Sequence, residues 1–282
     1  MTAVLGILLI VIFIVFIYGS RSRSRSHTEG FASYTLPRTI WSYWHDPVIP
    51  PSVATMLAER AILPWKHVVL NEVTVYEYID RATFPKGYEL LSHQHQADWI
   101  RLYILKVYGG CWMDASIIVN SGEELEAMYK QSIETQSEFT GFYLQSHTLK
   151  GVPETYIENW FIMAPKESRI IQLWYEEYTM AVEIGFAAYK KRVFSQIDVS
   201  NIYAREDDNT YLTQHAALQY VLRVRLKEKP HLLIVDASES MFKPHVDCKW
   251  DTECTLKFIK ETPKEKQPPF IKLRSNERNL LG

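Results

Sequence analysis

The longest apolar run in the chain stands at its start, where Ala3 to Tyr18 carry no charge and a single glycine among large side chains. As a helix this run reaches roughly 24 Å, a gap from a ~30 Å hydrocarbon core that flanking residues and local thinning close. No Lys or Arg precedes it and no small-x-small site follows it, so the pattern predicts a retained single-pass membrane anchor over 3–18 rather than a cleaved leader. A Ser/Arg-rich stalk over 19–34 follows. Its Arg21, Arg23 and Arg25 place the body on the cytoplasmic side by the positive-inside bias, with a lumenal body as the alternative.

From Leu36 the pattern changes to short apolar runs alternating with helical periods. "TIWSYW" (39–44) and "WKHVVLN" (65–71) predict strands, and "SVATMLAERAIL" (52–63) and "TVYEYIDRAT" predict helices. This β-α-β-α order predicts one α/β domain over 35–282, with a Rossmann-like, mostly parallel sheet flanked by helices. Such sheets bind ligands beyond the carboxyl ends of their strands. The most regular helix is "HQADWIRLYILKVYGG", with Ala97, Ile100, Ile104 and Val107 on one face and Asp98 and Arg101 on another. Gly109 and Gly110 stop it, and "CWM" followed by "SIIV" predicts a strand that brings Asp114 to a cleft. "REDDNTYLTQHAALQYVL" (205–222) predicts an amphipathic helix with Leu212, Ala216 and Tyr220 on one side, opened by Asp207 and Asp208.

Composition narrows the possible partners. With 31 basic against 33 acidic residues, the net charge of −2 provides no field for nucleic acid. Three cysteines leave at least one unpaired, and without a CxxC spacing there is no structural zinc signature. Cys248 and Cys254 could pair in an oxidising compartment, but free thiols are the expectation. A carboxylate followed two residues later by a hydroxyl, as in Asp114 and Ser116, suits a hard divalent cation, Mn²⁺ or Mg²⁺, bridging to phosphate oxygens. Alone, that pair is a weak motif.

The stretch "QADWIRLYILKVYGGCWMDASI" fits a block ADxxRxxxLxxxGGxxxD at Ala97, Asp98, Arg101, Leu105, Gly109, Gly110 and Asp114. It resembles the capsular-polysaccharide-synthesis-type glycosyltransferases, related to the DXD sugar-binding family that includes yeast outer-chain mannosyltransferases. "LPRTIWSYWHD" (36–46), "ENWFIMAPKES" (158–168) and "IKLRSNER" (271–278) extend the resemblance over nearly the whole body. It implies a GT-A type fold and metal-dependent transfer of a sugar from a nucleoside-diphosphate sugar donor to a glycan or glycoconjugate acceptor. The sequence departs from the full DXD motif in having Ser116 where a second acid would stand.

Carried over by residue, the resemblance puts Asp98 and Arg101 by the nucleotide and Asp114 on the metal and in the catalytic set, with Ser116 as a weaker ligand. Gly110 borders the nucleotide site, and Trp41 or Trp44 packs on base or sugar. His245 is the late histidine that would complete the metal shell. Lys272 and Arg274 reach the diphosphate. Glu158, next to Asn159, and Asp208 are the candidates for a general base or acceptor contact. The competing reading is a non-catalytic carbohydrate- or nucleotide-sugar-binding protein on the same fold. A phosphotransferase is disfavoured, since no GxxxxGK[ST] loop is present.

Overall fold

Six strands form the central sheet of the structure, a computed structural model that describes residues 34–203 and 209–281. In chain order they are β1 (Thr39–Tyr43), β2 (Lys66–Leu70), β3 (Gly110–Met113), β5 (Phe139–Tyr143), β6 (Ile157–Ala164) and β7 (Leu232–Asp236). The spatial order is β2-β1-β3-β6-β5-β7. Five strands run one way, and β6 runs against both of its neighbours. The fold is therefore mixed α/β with a mostly parallel sheet. A separate two-stranded ladder joins β4 (Ile117–Val119) to β8 (Phe270–Lys272) in antiparallel register, Ile117 opposite Lys272.

Helices follow from local chemistry. Pro51 opens α1 (Pro51–Glu59) from the position where its missing N–H costs nothing. The Ser92 hydroxyl caps α2 (His93–Tyr108) by accepting from the His95 N–H. At the other end of α2, Gly109 and Gly110 have φ of 64° and 99°, and a Cβ at either would lie 2.6 Å from backbone, at Lys166 N or Thr39 O. Only glycine can turn the chain this close to its neighbours. Trp99 of α2 and Trp112 of β3 are fully buried with Trp174 of α4 (Arg169–Ile184) in the core. The remaining helices are α3 (Glu123–Thr135), α5 (Phe186–Phe194), α6 (Thr213–Tyr220), α7 (Lys243–Asp247), α8 (Thr252–Glu261) and α9 (Ser275–Leu280).

Four expectations are revised. "TVYEYIDRAT" forms two 3₁₀ turns, Thr74–Glu77 and Arg81–Thr83, because Asn71 and Asp80 bond local backbone N–H groups in competition with a helical ladder. "CWM" and "SIIV" belong to two different sheets, broken at Asp114–Ser116. Helix α6 is buried at every residue rather than amphipathic, packed against α4, α5 and β6. Cys248 and Cys254 form a disulfide, while Cys111 is a buried free thiol. Among the described residues no helix is long and apolar enough to cross a membrane. The predicted anchor at 3–18, nearly all of the stalk, and Asp207 and Asp208 lie outside the described residues.

Candidate active site

A cavity of about 270 Å³ opens at the carboxyl ends of β1 and β3 and the start of the antiparallel β6. Trp44 and His45 follow β1, Asp114 and Ser116 follow β3, and Asn159 comes from β6. The first turns of α2 supply Asp98 and Arg101. This is where an α/β sheet of this kind holds ligands.

One buried arginine organises the floor. Arg101, 4% exposed, donates Nη1 to Asp98 Oδ1 at 2.6 Å and to Gln214 Oε1 at 2.6 Å, and Nη2 to Asp114 Oδ1 at 2.9 Å. Asp98 and Arg101, three residues apart on α2, thus share one face and turn inward rather than to solvent. Burial pushes the Asp98 carboxyl up, with Arg101 partly opposing. Burial also opposes the charge on Arg101, but Asp114 and Asp98 outweigh it and raise its pKa. Gln214 fastens α6 to this cluster by donating to the Asp98 carbonyl at 2.6 Å, and Asn159 donates to Gln214 Oε1 at 2.6 Å. The sequence reading passed over Gln214, although a polar Thr-Gln-His run within a buried helix is itself a sign of an inward polar task.

Asp114 is fully engaged. Its Oδ1 also accepts from Trp112 Nε1 at 2.9 Å, and its Oδ2 accepts from Lys272 Nζ at 3.2 Å. Burial would raise this carboxyl, but Lys272, Arg101 and the Trp112 N–H hold it below the usual carboxylate range. Lys272 also donates to Ser116 Oγ at 2.6 Å, and burial lowers its pKa in spite of Asp114. The ladder sets this contact, since β8 lies beside β4 and the Leu273 N–H meets the Ser116 carbonyl at 2.9 Å. Behind the turn, Arg60 is 1% exposed and spends its guanidinium on oxygen acceptors. It donates to the carbonyls of Met113 at 3.1 Å, Asp114 at 2.5 Å and Ile117 at 3.2 Å, and to Ser42 Oγ. Burial brings its pKa down to about 10. No spacing rule in the sequence marks Arg60, which acts through a loop more than fifty residues away.

Several expected site residues lie elsewhere. Trp41 of β1 is buried, donates to the Gly109 carbonyl at 2.9 Å and packs on Tyr78 and Tyr108, so of these two tryptophans Trp44 is the one that faces the cavity. Gly110 serves a tight chain reversal and does not line the cavity. His245 is fully buried, with Nε2 2.9 Å from Glu277 Oε2 and its ring against Phe242 and Trp250, away from Asp114. Arg274 pairs with the same Glu277, and Arg278, one turn further along α9, lines the cavity instead. Arg278 lies over the Trp44 ring at 5.0 Å and has no ion-pair partner among the described residues. Glu158 is buried behind the cavity wall and faces His215, which lines it, at a long 3.5 Å.

These residues do not fit a resident divalent metal. Such an ion needs oxygen ligands at about 2.0–2.6 Å, yet the one carboxylate at the motif is already bonded on both oxygens and its companion hydroxyl holds an ammonium. Among the described residues no group of three His, Cys, Asp or Glu side chains is placed to hold one.

Two relatives align with half of the chain: the O-glycosyltransferase braB of Annulohypoxylon truncatum at 28% identity and the O-glycosyltransferase PaGT of Phomopsis amygdali at 24%. The chain spans 37% and 38% of their respective lengths. Among solved structures, a glycosyltransferase involved in glycosylation of the major capsid of PBCV-1 matches 86% of this chain and 98% of its own, at 12% identity and TM-score 0.40. The PaToxG glycosyltransferase matches 88% and 84%, at 11% identity and TM-score 0.39. Residues 19–183, more than half of the sequence and the part that carries Asp98, Arg101 and Asp114, match the capsular polysaccharide synthesis protein family, to which this chain belongs.

Proposed function

We propose that the protein is a glycosyltransferase of GT-A type that moves a sugar from a nucleoside-diphosphate sugar onto a hydroxyl of a glycan or glycoconjugate. The observation that carries this reading is the cationic cluster at the strand ends, where Arg101 and Arg278 line the cavity and Lys272 stands directly behind Asp114 and Ser116. A diphosphate leaving group is the chemistry that such a cluster suits. The names of the two relatives, both O-glycosyltransferases, agree with a hydroxyl acceptor. In the reaction the bond between the anomeric carbon and the diphosphate oxygen breaks, and its electron pair leaves with the diphosphate. The acceptor oxygen bonds to the anomeric carbon, and its proton passes to a base. His215 is one of the imidazoles on the cavity wall, and Glu158 behind it is in place to orient the ring. Attachment to a membrane through residues 3–18 belongs to the same proposal.

The test is a panel of labelled nucleotide sugars offered to the full chain in mild detergent, followed for nucleoside diphosphate release and for sugar transfer. Turnover of at least one donor is expected, with Arg101→Ala lowering it at least a hundredfold while the protein still binds donor weakly. Donor binding without transfer or release would leave the non-catalytic reading in place. No binding of any donor would end both.

A further inference from the structure

Resting on the donor reading above, we propose that Lys272 is the resident cation of the diphosphate subsite. With Arg101 and Arg278 it does the work of a divalent metal, so that the protein binds nucleoside diphosphates without one. Lys272 occupies the position where a metal held by an Asp-x-Ser motif would sit, between Asp114 Oδ2 and Ser116 Oγ. Its placement is built into the fold, because the β4–β8 register sets Lys272 across from Ile117, one residue from Ser116.

The charges point the same way. On the cavity floor Asp98 and Asp114 are matched by Arg101 and Lys272. Arg278 is then surplus, half-covered against Trp44 and without an acid of its own among the described residues. A divalent ion added at Asp114 would face two fixed cations, Arg101 and Lys272, within contact distance of that carboxylate. A diphosphate instead meets Arg101 and Arg278 on the cavity lining, with the Lys272 ammonium directly behind Asp114 and Ser116, and takes up the surplus charge. Ser116, where a second acid would serve a metal, serves an ammonium equally well, since a hydroxyl oxygen accepts a hydrogen bond without adding charge.

The experiment measures binding of UDP, GDP and ADP to the full chain by calorimetry, once in excess EDTA and once with Mn²⁺, alongside Mn²⁺ titration of the protein alone. The parent is expected to bind at least one of the three, with affinities in EDTA and Mn²⁺ within threefold, and to show no tight Mn²⁺ site of its own. Lys272→Met is expected to weaken binding in EDTA at least tenfold. With the ammonium gone, Asp114 Oδ2 and Ser116 Oγ lose that donor, so Mn²⁺ should restore part of that loss. Lys272→Arg, which keeps the charge, should stay within tenfold of the parent without metal; thermal melting of both variants separates misfolding from lost binding. Should Lys272→Met fail to fold, the EDTA comparison on the parent and on Lys272→Arg still decides the matter. Binding by the parent only when Mn²⁺ is present would overturn the resident-cation assignment and leave the donor reading standing. Equal binding by Lys272→Met and the parent in EDTA would also overturn it. If none of the three binds with or without metal, the donor reading falls and takes this inference with it.

Discussion

At the scale of single residues, Arg60 shows how much of a site can rest on a side chain that never touches a ligand. Its guanidinium satisfies three carbonyls and a hydroxyl around the turn that carries Asp114, in a place where water does not reach. A lysine there has the charge but lacks the planar fork that spans carbonyls on both sides. Arg60→Lys is therefore expected to lower stability by about 2–3 kcal/mol, and Arg60→Ala by about 3–5 kcal/mol, since either change leaves buried acceptors unmet. Chemical denaturation of both variants checks this; a loss under 1 kcal/mol in Arg60→Ala would mean that the turn holds itself. What the sequence showed at this scale was the part with fixed spacing. Asp98, Arg101 and Asp114 lie within one helix-turn-strand unit, so their convergence was legible. Arg60, Gln214 and Arg278 arrive from distant segments, and no local period marks them. Trp41 and Trp44 illustrate the limit of such reading. Three residues apart on an extended segment that bends at its end, one packs into the core and the other faces the cavity, and only the end of β1 at Tyr43 decides between them.

At the scale of elements, the cavity depends on α9 being held in place, since this helix carries Arg278. The hold is the buried Glu277, which accepts from Arg274 through its backbone N–H at 2.8 Å and its Nε at 2.7 Å and faces His245 of α7 at 2.9 Å. Burial alone would raise this carboxyl, but the hydrogen bonds from His245 and Arg274 outweigh it and bring its pKa down to about 2. A carboxyl depressed on folding gives stability that is present in full above its unfolded value of about 4.3 and is lost as pH falls through about 2. Glu277→Gln removes that contribution. The gap in melting temperature between parent and variant should be full at pH 7 and should close progressively from about pH 4 downward. A gap that stays constant from pH 7 to pH 2.5 would show that the ionised form of Glu277 is not what secures the helix. No local pattern marks this clasp, because "FKPHVDC" and "SNER" are about thirty residues apart and neither reads as apolar. It did announce α2, where sixteen residues keep one period between a serine cap and a glycine pair. For α6 periodicity misled, since a helix enclosed by α4, α5 and β6 has no solvent face for a period to reveal.

At the scale of the whole molecule, the alternation of strands and helices was enough to read a mostly parallel α/β sheet with its ligand edge at the strand ends. The reversal of β6 was not legible, because a strand buried on both faces carries the same apolar run in either direction. Under the proposed membrane attachment, the side on which the body lies is a second whole-molecule property, and two observations on it pull apart. Arg21, Arg23 and Arg25 favour a cytoplasmic body. The disulfide between Cys248 and Cys254, which ties the end of α7 to the start of α8, favours an oxidising compartment, since such bonds rarely persist in the cytosol. A charge count is a statistical bias on insertion, whereas a disulfide in the folded body is a chemical condition on where that body matures. The second therefore outweighs the first, and the body is expected on the lumenal or extracellular side. Counting accessible thiols tests this on protein taken from its native source, trapped in acid and unfolded in denaturant before labelling with a polymer-tagged maleimide. With the disulfide intact only Cys111 reacts, giving one tag, and prior reduction should give three, one for each cysteine in the chain. Three tags without reduction would place the body in a reducing compartment and return the orientation to the one that the three arginines imply.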